Sequence, residues 1–181
     1  MKPTRQELEA AAGRLVPDLV ADNLQALFCG INPGLWSGAT GRHFAGPGNR
    51  FWKVLSGAEF TDRVLGPSEE GALLSAGLGI TNLCARTTAT AAELTTDELA
   101  QGALLLEEKV ALLRPRFVAF VGMQAYRSAF HQPRARIGPL PEPLAGARGW
   151  LLPNPSGLQA RYQLAEMVGF FTELRRAVGD H

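Results

Sequence analysis

Leu27-Phe28-Cys29-Gly30-Ile31-Asn32-Pro33-Gly34 is the stretch on which the fold turns. An apolar run of strand length stops abruptly at Asn-Pro-Gly. Pro33 fixes its own φ and biases Asn32 away from the helical region, while Gly34 reaches backbone angles closed to other residues. The stretch predicts a buried strand over residues 26–31, then a stiff turn holding one amide side chain at the edge of a sheet. An amide offers an acceptor and two donors without charge, so it can position a water. The plainer alternative is an ordinary turn in which Asn32 bonds its own backbone.

Further along the chain, three more short apolar runs read as buried strands, at residues 78–83, 117–121 and 150–152. Segments with helical spacing separate them, at 50–55, 67–75, 96–113, 124–130 and 165–178. Alternating strands and helices predict an α/β fold: a small, mainly parallel sheet of about four strands, flanked by helices. Thr95 or Thr96 can cap the long central helix, with Glu98 near its positive end. Arg114-Pro115 stops that helix before the next strand. The first twenty residues are expected to form a peripheral helix or arm. Residues 133–149, rich in Pro, Gly and Arg, read as a long connection. No repeat or low-complexity linker divides the chain, so one domain over residues 1–181 is expected. Ligands of such sheets bind beyond the carboxyl ends of the strands.

Composition narrows the function classes. Hydrophobic content of 46% over 181 residues supports a real core and excludes the signature of disorder. A net charge of +1 argues against coating nucleic acid by electrostatics alone. Arg134, Arg136, Arg148 and Arg161 fall in the last third and permit a local DNA-facing edge. No apolar run reaches membrane-spanning length, and no signal-peptide core follows Met1, so no membrane partner and a cytoplasmic location are expected. Cys29 and Cys84 sit among apolar residues and read as buried, reduced thiols. Two thiols are too few for an all-cysteine iron–sulfur cluster, and nothing shows CxxC or HExxH spacing, so neither metal nor cofactor is expected.

Beyond Gly34 the chain runs Leu35-Trp36-Ser37-Gly38-Ala39-Thr40-Gly41-Arg42-His43-Phe44-Ala45-Gly46-Pro47-Gly48-Asn49-Arg50-Phe51-Trp52-Lys53. No Gly-Lys-Ser/Thr follows these glycines, which excludes a Walker A loop. A glycine-rich loop with a central aromatic suits a flat ligand. Phe44 either presents a ring face to a base or anchors the loop in the core. Phe51 and Trp52 read as core, and His43 as a phosphate contact or a surface histidine.

Residues 30–34 together with 44–52 resemble the mismatch-specific uracil- and thymine-DNA glycosylases of the uracil-DNA glycosylase superfamily. Thr81-Asn82-Leu83 with Arg86-Thr87-Thr88 resembles that family's second-strand segment, and Asn154-Pro155-Ser156-Gly157-Leu158 its DNA-inserting loop. The similarity runs from about residue 20 to the C-terminal helix. Three motifs in the right order and spacing are far harder to obtain by chance than one.

The resemblance implies a small parallel sheet between helices and hydrolysis of the N-glycosidic bond of a flipped base. Duplex DNA with a mismatched or damaged base is the implied partner, and a monomer is expected. Asn32 matches the catalytic Asn that holds the attacking water, with backbone amides near Ile31 and the Phe44 loop stabilising the departing base. Phe44 matches the aromatic that stacks on the base, and Ser37 a pocket-wall position. Gly30, Ile31, Pro33, Gly34, Asn49, Asn82 and Asn154 complete the implied substrate-binding set. Some relatives carry a basic residue where Asn82 stands. Ser156, Gly157, Leu158, Gln159 and Arg161 match the wedge that fills the gap left by the base, although Gln159-Ala160 holds one residue more than the bacterial pattern. Leu158 as core and Arg161 as a surface charge are the plain alternatives. Glu93, the nearest carboxylate after the second strand, activates water if its loop folds inward and is otherwise solvated. Two readings from other classes stay open: a non-catalytic sensor of damaged bases, and a small α/β enzyme acting on a free nucleobase or nucleotide.

Overall fold

The apolar run at residue 26 becomes the middle of a sheet because it is buried on both sides. In the computed structural model, which describes residues 1–157 and 161–179, every residue of strand β1 (Ala26–Gly30) is buried. It pairs in parallel with β2 (Leu78–Asn82) on one side and β3 (Phe117–Val121) on the other. β3 pairs in parallel with β5 (Arg148–Leu152), and with the short β4 (Gly138–Pro139) at the edge the sheet order is β2-β1-β3-β5-β4. A parallel sheet covered on both faces reads as continuous apolar runs without alternation, as these strands do.

Alternation shows instead in which core each residue enters, since successive side chains point to opposite faces. Phe28, Ile80, Phe117 and Ala119 face α3 (Phe51–Gly57) and α7 (Leu164–Gly179), meeting Phe51, Leu55, Met167 and Phe171. Leu27, Cys29, Val118, Phe120 and Leu151 face the other way, against Leu99, Leu106 and Val110 of α5 (Thr96–Leu113) and Ala125 of α6 (Met123–Ala129). Thr95 caps α5: its hydroxyl accepts from the Glu98 amide while the Glu98 carboxylate accepts from the Thr95 amide. Arg114 ends the helix in the left-handed region, one residue before Pro115.

Three expectations are corrected. The sheet has a fifth strand, β4 (Gly138–Pro139), antiparallel to β5, inside the stretch expected to be a plain connection. The helix expected over 67–75 is split into a 3-10 turn, Pro67–Glu69, and a short α4 (Ala72–Ser75). The glycine-rich loop contains a helix, α2 (Leu35–Thr40), with no side-chain cap. Of the two forms expected for the N-terminal stretch, the helix is present. Its helix α1 (Arg5–Glu9) is capped reciprocally by Thr4 and Glu7, and single bridges then tie Leu15 to Arg86 and Leu19 to Ile80. Asp18, Thr81 and Lys109 bond one another and pin the same stretch to β2 and α5. Among the described residues, no helix is long and apolar enough to cross a membrane.

Phe171 is fully buried, and its ring lies parallel to Phe28 with centroids 6.2 Å apart. Truncating such a ring leaves a cavity that its neighbours fill only partly. Phe171→Ala is expected to destabilise the fold by about 3–5 kcal/mol, read from the midpoint of urea unfolding. A change near zero would show that α7 is not part of the cooperative core.

Candidate active site

Past its last sheet residue, β1 stays fastened to the chain leaving β2. The carbonyls of Gly30 and Ile31 accept from the amides of Leu83 (2.9 Å) and Cys84 (3.0 Å), and Pro33 accepts from Thr88 (3.1 Å). This places the Asn32 side chain against the segment 86–88. Its Nδ2 donates to Thr88 Oγ1 (2.7 Å), to the Arg86 carbonyl (2.9 Å) and more weakly to the Pro33 carbonyl (3.3 Å). The Thr88 hydroxyl proton goes to the Thr90 carbonyl (2.8 Å), so toward Asn32 it can only accept. All three partners are acceptors, which only the nitrogen end of an amide can satisfy. Oδ1 is therefore the end presented to the cavity, and it accepts no hydrogen bond among the described residues. Asn32 is not an ordinary self-bonded turn residue, because its two shorter bonds reach more than fifty positions away.

The cavity that Asn32 faces measures about 550 Å³ and lies beyond the carboxyl ends of β1, β2 and β3. It brings together every described member of the expected substrate set except Gly30: Ile31, Pro33, Gly34, Ser37, Phe44, Asn49, Asn82 and Asn154, with Ser156 and Gly157 at the rim. Gly30 lies just beneath. A Cβ there would stand 2.5 Å from Asn82 Oδ1 and 3.4 Å from the Phe44 ring, so only glycine lets these two side chains close the floor. Phe44 anchors its loop against the core and also borders the cavity. One face of its ring stacks on Phe51 at 4.0 Å and 23°, and the half-buried ring lines the cavity. Ser37 is buried, and its hydroxyl accepts from the Ala45 amide (3.2 Å), so it holds the aromatic loop in place. Asn49 and Asn154 each cap their own loop, accepting from the amides of Phe51 and Ser156 (both 2.9 Å). The two loops meet where Gly157 packs on the Gly48 backbone.

Other expectations are met only in part. Leu158 and Gln159 lie outside the described residues. Arg161 is exposed, with its guanidinium 5.4 Å from the Tyr162 ring. It lines a second hollow of about 140 Å³ that shares Ile31 and Asn154 with the main cavity. His43 is neither a surface residue nor free for phosphate: it is 2% exposed, its Nε2 bonds the Pro17 carbonyl (2.9 Å), and its amide donates to Glu70 (2.8 Å). Glu93 does not fold inward. Its carboxylate accepts from the Thr90 amide (2.7 Å) and caps the turn Ala91–Glu93, of which Ala91 lines the cavity and Glu93 does not. Among the described lining residues there is no Asp, Glu, Lys or Arg.

Sequence reasoning gave no role to Thr88, to the Arg86 carbonyl or to Leu8, which lines the cavity from α1. The Arg86-Thr87-Thr88 run was visible, but nothing in it announces that Asn32 will lean on it. Among the described residues, no group of three or more His, Cys, Asp and Glu could hold a metal. Burial raises the pKa of both thiols, Cys29 and Cys84, so they stay protonated and are poor nucleophiles.

The segment holding Asn32 has its own anchor. Arg86 grips Glu98 through two bonds of 2.6 and 3.1 Å and reaches the Glu93 carbonyl (3.0 Å). The Arg86 guanidinium, and after it the Thr95 amide, bring the Glu98 carboxyl down from 4.5 to about 2. A carboxylate depressed on folding stabilises the fold above its unfolded pKa, and that contribution fades as pH falls through the folded value. Comparing wild type with Glu98→Gln across pH should therefore show a full stability gap at neutral pH that closes between pH 4.5 and about 2. A gap independent of pH would show that the ion pair carries none of it.

Two comparisons bear on this arrangement. A solution NMR structure of a candidate uracil DNA glycosylase from Methanosarcina acetivorans superposes with a TM-score of 0.59 at 17% identity, covering 90% of this chain and 98% of that one. At that identity the likeness speaks for the fold. The sequence model of the uracil DNA glycosylase superfamily matches residues 17–176. That span takes in the whole sheet and every lining residue of the cavity except Leu8, and the chain belongs to the uracil DNA glycosylase superfamily.

Proposed function

We propose that the protein is a monofunctional DNA glycosylase that hydrolyses the N-glycosidic bond of a uracil flipped from a G-mismatched duplex, leaving an abasic site for base excision repair. The observation that carries this reading is the fixed amide of Asn32, turned so that an acceptor oxygen meets an uncharged cavity. The base must leave the stack because its reacting atoms are buried there. Phe44 offers a ring face to it, and Asn82 an amide for its polar edge.

Asn32 Oδ1 accepts a hydrogen bond from the attacking water and aims the water oxygen at the sugar carbon. An amide is a weak base, so Asn32 orients the water and removes no proton before the bond breaks. The C1′–N bond opens first, the sugar becomes cationic and the base departs with the electron pair. Water then bonds to C1′ and releases its proton to solvent. The backbone amides of Ile31, Asn32 and Phe44 have no acceptor among the described residues and suit the anionic base. Uracil leaves more readily than thymine, so uracil is the first substrate, with thymine and ethenocytosine behind it. Hypoxanthine or xanthine as the main substrate is the second reading, because a cavity of about 550 Å³ has room for the larger purine ring as well. The rim residues Ser156 and Gly157, with Leu158, Gln159 and Arg161, are assigned to the gap left in the duplex. The reading carries with it a monomer acting on cytoplasmic DNA.

A labelled duplex carrying G·U, treated with alkali to cut abasic sites, tests the proposal. Asn32→Ala should lower turnover by at least about 10²-fold, because a misplaced nucleophile loses that much, while duplex affinity stays near wild type. Loss of affinity and turnover together would make Asn32 structural. Tight G·U binding with no product from wild type would favour a base sensor. Indifference to duplex DNA would favour an enzyme of free nucleobases.

A further inference from the structure

The superfamily match starts at residue 17, so the N-terminal arm lies outside it, yet the arm reaches the site twice. Leu8 of α1 stands in the cavity wall, and α1 packs on α2. The second contact is made by the backbone. The Gly13 amide donates to the Thr87 carbonyl (2.8 Å), the Thr87 amide donates to the Arg14 carbonyl (2.9 Å), and Leu15 bridges Arg86 in antiparallel fashion. Thr87 is 1% exposed and stands between the two groups that hold Asn32 most closely, the Arg86 carbonyl and the Thr88 hydroxyl. On its far side, Thr88 pairs in parallel with Gly34. Three chain segments thus lie edge to edge: the arm at 13–15, the holder at 86–88 and the turn at 32–34.

We infer that the N-terminal arm, residues 4–16, is a positioning element for the catalytic amide, acting through Thr87 on the two acceptors that orient Asn32. The inference rests on the role given to Asn32 above. The arm is itself well held, by the Thr4–Glu7 capping box at one end and the fully buried Ala11 within it. Without its two bonds, Thr87 loses the partners that fix its peptide planes, and both flanking acceptors gain freedom. An Asn32 amide turned over would present Nδ2 to the cavity, and a donor group cannot accept a hydrogen bond from water. The arm therefore acts on the chemical step, with DNA affinity left to the rim and the aromatic loop.

Gly13 gives a clean test, because it lines neither of the two cavities described above and has φ of +78. In the full chain, Gly13→Pro deletes the donor to Thr87 and cannot adopt that angle; Gly13→Ala keeps the donor and is only strained. Single-turnover base release from G·U duplex should fall about 10-fold or more in Gly13→Pro and less in Gly13→Ala, in line with what small misplacements cost. Affinity for the duplex should hold. The side-chain amide resonances of Asn32, followed by NMR, should move in the same order. Amide exchange over residues 4–16 confirms that the arm has lifted, and Gly13→Ala keeps the test valid if the proline variant does not fold.

Unchanged rate and unchanged Asn32 resonances with a lifted arm would overturn the inference, as would equal loss of rate and affinity. If wild type releases no base, the enzymatic reading fails, and the Asn32 resonances decide the arm alone. Movement upholds the positioning role and constancy overturns it.

Discussion

A side-chain NH2 group withdrawn from water must find acceptors, and at Asn32 that requirement ties distant parts of the chain together. Its acceptors come from residues 33, 86 and 88, so the turn after β1 and the chain leaving β2 have to run side by side beyond the end of the sheet. The parallel register that sets Gly30 beside Asn82 makes this possible. The amides of Leu83, Cys84 and Thr88 then continue the pairing past the last strand residue. Arg86 serves twice, its carbonyl holding the amide and its guanidinium gripping the first turn of α5. A neutral group is thus oriented by a framework whose charges stay outside the cavity.

The parts of the fold legible in the sequence are those with dense local signals. β1, β2 and β3 show as apolar runs of strand length, and the cap of α5 shows as Thr95 followed by Glu98. What escaped depends on long-range contact. β4 is only Gly138–Pro139, too short for any period, and it exists because β5 is there to pair with it. α2 lacks a side-chain cap and includes glycine and threonine, so its helix follows from its tertiary surroundings. The Thr4–Glu7 capping box was readable from the sequence and marks the one helix that could have been placed better.

The site divides along the same line. Asn32, Phe44, Asn49, Asn82 and Asn154 carry distinctive side chains in recognisable runs, and the fold brings them to one cavity. The Arg86 carbonyl has no side-chain signature, since any residue supplies one. Leu8 looks like any apolar residue of a peripheral helix. His43 misled because a polar residue near a loop suggests solvent or chemistry, while Glu93 is exposed, as its plainer reading had it. Here one is spent on the Pro17 carbonyl and the other on capping its own turn.

The contact between Gly157 and Gly48 has a mechanical consequence. A side chain at 157 would start 2.5 Å from the Gly48 carbonyl, so the loops touch with nothing between them. The Arg50 amide reinforces the joint by donating to the Pro155 carbonyl (3.0 Å). With backbone facing backbone here, the loop at 154–157 and the loop that carries Phe44 are joined without an intervening side chain between Gly48 and Gly157. A displacement of the outer lip at residues 155–157 therefore reaches the loop of the aromatic wall through backbone contacts.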